Sequence, residues 1–241
     1  MPRPAPPPSR DAPTSPYQHY FLLAHARARD AVHGRVDWDR LAADLPPWPS
    51  GPLLRVHSAA PDRPTYLRRP DLGRILDPAG AALPPTGAWD LAIVIGDGLS
   101  AAAVQNWAAP TLAALLPRLP GWRLAPLVLA EQARVALGDP IGAALGAALV
   151  AVLIGERPGL SSPDSLGIYL TFDPRPGRRD SERNCLSNIH GAGLSPERAA
   201  VKLSWLAHEA RRRSLTGIDL KEEADTVLAD ASPRPGLGRP D

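Results

Sequence analysis

The chain has 241 residues, of which 44% are hydrophobic and 22% charged, so it is long enough to bury a sizeable core in one large or two small domains. Its formal net charge of +2 is too weak to indicate a nucleic-acid partner, and its single cysteine excludes an internal disulfide. No apolar run reaches the roughly 18 residues that a membrane span needs, and the N-terminus lacks the apolar core of a signal peptide. Together these features predict a cytoplasmic protein that contacts neither membrane nor nucleic acid.

Both ends of the chain have the composition of disordered segments. Residues 1–16 are dominated by proline, and residues 219–241 are charged and then rich in proline and glycine, so we expect two disordered tails. Residues 17–86 are predicted to form a small helical N-terminal region. Its helical pattern is broken at Gly34, and a second short helix is expected to begin near Asp37.

Residues 87–218 alternate apolar runs with helical patterns. The runs predicted as strands span residues 91–95, 124–130, 149–154, 166–172 and 185–189. Such alternation is typical of an α/β domain with a mostly parallel sheet and helices on both faces.

Three helix signals lie in this domain. Ser100 is expected to cap an alanine-rich helix, which Pro110 should kink or end. Asp139 and Pro140 are expected to start another helix, with the aspartate as its cap, that runs to about Ala147.

The turn after the first predicted strand of the domain reads Gly96-x-Gly98-x-x-Ala101, which matches the dinucleotide fingerprint and would predict an NAD-dependent oxidoreductase. The acidic residue expected about 20 positions later is missing, since the next one is Glu131, and Asp97 places a negative charge inside the turn. Two other interpretations stay open: a structural glycine turn without a ligand, and a turn that approaches a large cofactor with few phosphates.

Glu156 follows the run 149–154 directly, where the carboxyl end of a strand commonly meets a ligand. Its alternative role is an ion pair with Arg157 or another arginine. The arginines that follow Arg63, at positions 68, 69 and 74, form either a solvated basic face or a contact with an anion.

The sequence contains no Ser/His/Asp order, phosphate loop or metal cluster that would make a complete catalytic site. Cys185 is expected to be a small, inert core residue. A chain with ligand-like turns and no acid–base machinery is typical of a binding subunit whose partner supplies the chemistry.

Four motifs carry a resemblance to a known family. In chain order they read YLRRPDLGR from Tyr66, IGDGLS from Ile95, IGERPGLSSPDSLGIYL from Ile154, and ERNCLSNI from Glu182. Over residues 17–218 the chain resembles the small subunit of ethanolamine ammonia-lyase, an adenosylcobalamin-dependent enzyme.

The resemblance implies a Rossmann-like, cobalamin-binding domain over residues 87–218 and a barrel-shaped large subunit as partner in a hetero-oligomer of large/small pairs. Adenosylcobalamin would lie between the two subunits, and ethanolamine, bound in the large one, would become acetaldehyde and ammonia by radical rearrangement. Implied cofactor contacts are Val135, Glu156 and Cys185, with Asp97, Gly98, Leu99 and Ser100 as further ones, and the chain would supply no catalytic residue or metal ligand. The family also allows a bacterial microcompartment as location, although the proline-rich N-terminus is too short for a helical targeting segment.

Overall fold

The structure is a computed structural model that describes residues 16–78, 83–84, 87–160 and 162–224. Its centre is a six-stranded sheet with strand order β1-β3-β2-β4-β5-β6. The strands are β1 (Leu54–His57), β2 (Trp89–Gly96), β3 (Val128–Glu131), β4 (Ala147–Gly155), β5 (Leu166–Phe172) and β6 (Arg183–Ile189).

Helices precede, separate and follow these strands. They are α1 (Pro16–His33), α2 (Trp38–Asp44), α3 (Arg63–Arg68), α4 (Ala101–Leu115), α5 (Gly138–Leu145) and α6 (Pro196–Arg213). Asp37 caps α2 by accepting a hydrogen bond from the Arg40 N–H, as its position in the sequence predicts.

The sheet is buried on both faces because its central strands are almost entirely apolar, with Asp90 of β2 as an exception. Alternate residues of β2 point to opposite sides, so Leu91 and Ile93 belong to one hydrophobic cluster and Ala92 and Val94 to another. Helices α4 and α6 cover the first face and α5 covers the second. The prediction of an α/β fold with helices on both faces is therefore confirmed.

The sheet mixes parallel and antiparallel pairs. Strands β1, β3, β2 and β4 run parallel to one another, whereas β5 and β6 add antiparallel strands at one edge. The described residues of the connection from β4 to β5 form no crossover helix, which a parallel pair would need. Strand β1 comes from the region predicted to be helical and pairs with β3.

Two helix predictions differ from the structure, one of them only in part. Of the two effects expected of Pro110, a kink or an end, the end does not occur, because α4 continues to Leu115. Asp139 does not cap α5, which begins at Gly138; its carboxylate instead accepts two hydrogen bonds of 2.7 Å from the guanidinium of Arg183 on β6. Both partners of this ion pair are almost fully buried, so each needs the other to compensate its lost hydration.

Residues 219–224 were predicted to belong to the C-terminal tail but pack against the domain. Leu220 and Ala224 are buried, and the side chain of Asn184 donates a 2.6 Å hydrogen bond to the Leu220 carbonyl. Burial of these two apolar side chains holds residues 219–224 against the domain. The rest of that predicted tail and residues 1–15 lie outside the described residues.

Candidate functional site

A cavity of about 410 Å³ opens at the carboxyl ends of β2 and β4. Its position follows from the strand order, because the chain leaves β2 toward α4 on one face and leaves β3 toward α5 on the other. Loops that diverge in this way leave a crevice where open α/β sheets bind ligands. The cavity is lined by Tyr66, Gly98, Leu99, Arg134, Val135, Ile154, Gly155, Glu156, Arg157 and Tyr169.

The glycine turn after β2 serves close packing between strand ends. Gly98 has a φ of +58°, and a Cβ atom at this position would lie 2.2 Å from the Gly155 carbonyl oxygen. The N–H of Leu99 donates a 2.8 Å hydrogen bond to that same oxygen. Only glycine therefore lets the β2 turn meet the end of β4 at this distance.

Asp97 is a buried anchor and does not line the cavity. Its carboxylate accepts 2.9 Å hydrogen bonds from the N–H groups of Gly98 and Ala133, and Arg63 lies 3.3 Å from its second oxygen. Burial raises the pKa of Asp97 to about 6, although Arg63 and the backbone donors act in the opposite direction. Asp97 thus ties together the turns after β2 and β3 and helix α3.

The hydrogen bonds of this turn argue against the binding of a dinucleotide. A phosphate would need free N–H donors in the turn, but those of Gly98 and Leu99 bind Asp97 and Gly155. The buried carboxyl of Asp97 also lies within the turn, where a bound phosphate would need neutral or positively charged groups. The NAD-dependent alternative is therefore not supported.

Ser100 also has a positioning role in the structure. Its hydroxyl caps α4 by accepting a hydrogen bond from the Ala103 N–H, which confirms the predicted cap, and it donates a 2.8 Å hydrogen bond to the Pro163 carbonyl. The loop before β5 is held to α4 a second time through Asp164, which accepts from the Trp107 indole N–H. These contacts fix the loop that follows Glu156.

Glu156 presents one free carboxylate oxygen to the cavity wall. Its Oε2 accepts hydrogen bonds from the Ser165 hydroxyl and from the Asn188 N–H at 3.2 Å. Among the described residues nothing donates to Oε1, and Glu156 makes no ion pair with Arg157 or any other arginine there, so the alternative role as an ion-pair partner is not observed in this part of the chain. Gly167 makes room for this oxygen, since a Cβ there would lie 2.8 Å from Oε1.

The apolar part of the wall comes from Leu99 and Val135. Val135 begins the 3-10 turn Val135–Leu137 that follows β3, and it packs partly buried against the second hydrophobic cluster. Of the seven residues predicted as contacts, Gly98, Leu99, Val135 and Glu156 line the cavity together.

Cys185 lies beside this group on β6, directly opposite Tyr169 of β5. It is exposed, so the prediction of a core residue is wrong. Neighbouring groups still remove water from around the thiol, and this desolvation raises its pKa; Glu156 raises it further and a hydrogen bond with Tyr169 lowers it. The thiol is therefore protonated at neutral pH and does not act as a ready nucleophile.

Sequence reasoning missed two arginines of the cavity, Arg134 and Arg157. The guanidinium of Arg134 lies 4.2 Å from the centre of the Tyr66 ring and donates to the Tyr66 carbonyl. The available signal was their position, since each lies next to a predicted contact, Val135 or Glu156. Of the arginines that the sequence did single out, Arg69 is exposed and paired with Asp71.

The described residues contain no group of three histidine, cysteine or acidic side chains that could hold a metal ion. None of the helices in this part of the chain is long and apolar enough to cross a membrane.

A mixed α/β chain with an open cavity at the carboxyl ends of its parallel strands has the architecture of a ligand-binding α/β protein. The chain belongs to the ethanolamine ammonia-lyase light chain (EutC) family, whose sequence model matches residues 10–221. This match confirms the resemblance drawn from the four motifs and makes the chain part of a lyase.

Relatives from several bacteria agree along nearly the whole length. The chain is 55% identical to the ethanolamine ammonia-lyase small subunit of Bradyrhizobium diazoefficiens, over 89% of this chain and 82% of that protein. It is 53% identical to that of Azotobacter vinelandii, over 88% and 81% of the two chains. The corresponding protein of Ralstonia nicotianae is 50% identical, over 92% and 84%.

Proposed function

We propose that this chain is the small subunit of an ethanolamine ammonia-lyase and holds one side of adenosylcobalamin against a large subunit. The complete enzyme converts ethanolamine to acetaldehyde and ammonia, and the substrate site belongs to the large subunit. When bound, adenosylcobalamin supplies the radical chemistry of the rearrangement. The observation that carries the proposal is the free Oε1 of Glu156 in the wall of the cavity between β2 and β4.

The donor and acceptor pattern fits the rim of a corrin. Cobalamin carries primary amide side chains, whose N–H groups donate hydrogen bonds that a carboxylate accepts well. Ser165 and Asn188 hold the other oxygen of Glu156, so the carboxylate is oriented before the ligand arrives. Such preorganisation reduces the entropy that binding costs.

The size of the cavity supports a shared cofactor. About 410 Å³ is within the range of pockets that hold drug-sized ligands, and cobalamin is much larger. This chain can therefore grip only part of the molecule, and a second protein surface must cover the remainder. A hetero-oligomer with the large subunit supplies such a surface.

The proposed contacts divide into two groups. Gly98, Leu99, Val135 and Glu156 touch the cofactor directly, and Cys185 contacts it at the open edge of the sheet through a neutral thiol. Asp97 and Ser100, the two remaining predicted contacts, are positioning residues, because their side chains are buried and hydrogen-bonded within the protein. This role replaces the direct contact with the cofactor that was predicted for them.

Reconstitution tests this function. The purified chain is mixed with the matching large subunit, adenosylcobalamin and ethanolamine, and acetaldehyde is followed over time, with each protein alone as control. We expect product only when both proteins are present. Equal activity of the large subunit alone would show that this chain is dispensable for turnover and would overturn the proposal.

A further inference from the structure

Three arginines near one side of the cavity have no acidic partner in the part of the chain that the structure describes. Arg134 and Arg157 line the cavity, and Arg74 is close enough to Arg134 to influence its pKa. None of the three forms an ion pair with a residue that the structure describes. We call them the arginine cluster. The nearby Arg63 differs, since it forms an ion pair with Asp97.

Arg134 is held in place from two sides. Its guanidinium stacks on the Tyr66 ring, and its backbone N–H donates a 2.8 Å hydrogen bond to the Gly73 carbonyl. A Cβ atom on Gly73 would lie 2.8 Å from Cγ of Arg134, so this glycine is what allows the close approach. The Nε atom of Arg134 is buried and has no hydrogen-bond partner. A rigid arginine with an unused buried donor has the form of a prepared ligand contact.

The charges of the cluster work against one another. Burial lowers the pKa of Arg134, and the positive charges of Arg63, Arg74 and Arg157 lower it further. Like charges held at a partly buried wall destabilise it until a negative group binds among them. Arg157 is exposed and makes no hydrogen bond with the described residues, so it is free to turn toward such a group.

We propose that Arg134 and Arg157 bind the phosphodiester of the nucleotide loop of cobalamin, with Arg74 contributing longer-range charge. This inference rests on the proposed function. The phosphodiester is the anionic group of a ligand whose other side chains are neutral amides, and the planar guanidinium fork matches two phosphate oxygens. Glu156 and the arginine cluster then bind different parts of one ligand. Glu156 accepts hydrogen bonds from the corrin amides, and the arginines donate hydrogen bonds to the phosphate.

A set of three ligands tests this division. Adenosylcobalamin carries the phosphodiester, adenosylcobinamide phosphate keeps a phosphate without the base, and adenosylcobinamide has neither. Binding of each to the complex of small and large subunits is measured by equilibrium dialysis, without substrate. The variants are Arg134→Met and Arg157→Met, and Arg69→Met is the control because Arg69 is exposed and pairs with Asp71 outside the cavity.

We expect Arg134→Met and Arg157→Met each to weaken the two phosphate-bearing ligands about tenfold, the scale of a lost charge-assisted hydrogen bond, and to leave adenosylcobinamide unchanged. Equal weakening of all three ligands would assign the arginines to the corrin amides and overturn the inference, as would no change in any. Arg157 is exposed, so its variant keeps the test valid if Arg134→Met does not assemble. If the wild-type complex bound none of the ligands, the proposed function itself would fail.

Discussion

Arg63 and Asp97 form a buried ion pair beneath the cavity, with 3.3 Å between Nη1 and Oδ2. Arg63 also donates to the carbonyls of Val32 and Gly98, so one side chain connects α1, α3 and the turn after β2. The N-terminal helices are therefore tied to the end of the sheet where the cavity opens. Because the pair is buried, its contribution to stability depends on whether Asp97 is charged.

The free energy of unfolding should depend on pH through the titration of Asp97. Its pKa of about 6 in the folded chain lies above the ordinary value near 3.8, so the folded state holds the proton more tightly than the unfolded state. The stabilising contribution is fully present below the ordinary pKa and is lost as pH rises through the folded pKa. We expect a loss of about 3 kcal/mol from this one group between about pH 4 and pH 7.

The measurement compares urea unfolding of the wild type and of Asp97→Asn at several pH values. Asparagine keeps an oxygen for the Gly98 and Ala133 N–H groups but does not titrate. As pH rises to about 7, the free energy of unfolding of the wild type should fall relative to that of Asp97→Asn. A difference that stays constant across this range would contradict the assigned pKa.

Replacement of Gly98 should damage the site far more than replacement of another glycine with the same backbone. Gly121 has a φ of +75° and open space around it, so Gly121→Ala measures the backbone strain alone, about 1 kcal/mol. Gly98→Ala adds a collision with the Gly155 backbone, and we expect at least twice that loss of unfolding free energy together with weaker cofactor binding. Similar losses for both variants would show that the β2 turn tolerates a side chain.

The sequence predicted the elements of this fold better than the links between them. Apolar runs identify β2 and β4 because strands buried on both faces are apolar throughout, and Ser100 is a reliable cap signal since it precedes a helical pattern. The pairing of Asp139 with Arg183 could not be predicted, because it joins residues 44 positions apart in sequence. Without knowledge of that ion pair, Asp139 followed by proline has the local sequence pattern of a helix cap.

The same limit applies to the candidate site. Glu156 could be singled out because it follows a strand, but its orientation depends on Ser165, just before β5, and on Asn188 of β6, which both donate to its Oε2. The role of Asp97 likewise depends on Arg63 and on the turn after β3. Local sequence locates a side chain at a sheet edge, whereas tertiary contacts decide whether it faces a ligand or the protein.

Removal of the free acceptor should weaken cofactor binding without loss of fold. In Glu156→Ala the corrin amide loses a charged partner, and we expect affinity of the two-subunit complex for adenosylcobalamin to fall about tenfold or more. Glu156→Gln should show a smaller loss, since its amide oxygen is a weaker acceptor than a carboxylate. Equilibrium dialysis gives the affinities, and Glu223→Gln is a matched control because Glu223 is exposed and has no partner among the described residues. Unchanged affinity in Glu156→Ala would remove this residue from the site.

Cys185 offers a direct probe of the open edge of the site, because it is the chain's single cysteine and is exposed. Its raised pKa predicts slower alkylation by iodoacetamide at neutral pH than that of an unperturbed thiol, since the thiolate is the reactive form.

We further expect adenosylcobalamin to protect the Cys185 thiol from alkylation when the large subunit is present. The extent of alkylation is followed over time by the intact mass of this chain. The large subunit without cofactor is the control, because it separates shielding by protein from shielding by ligand. Equal labelling with and without adenosylcobalamin would place Cys185 outside the cofactor contact, and Cys185→Trp would then leave cofactor affinity unchanged.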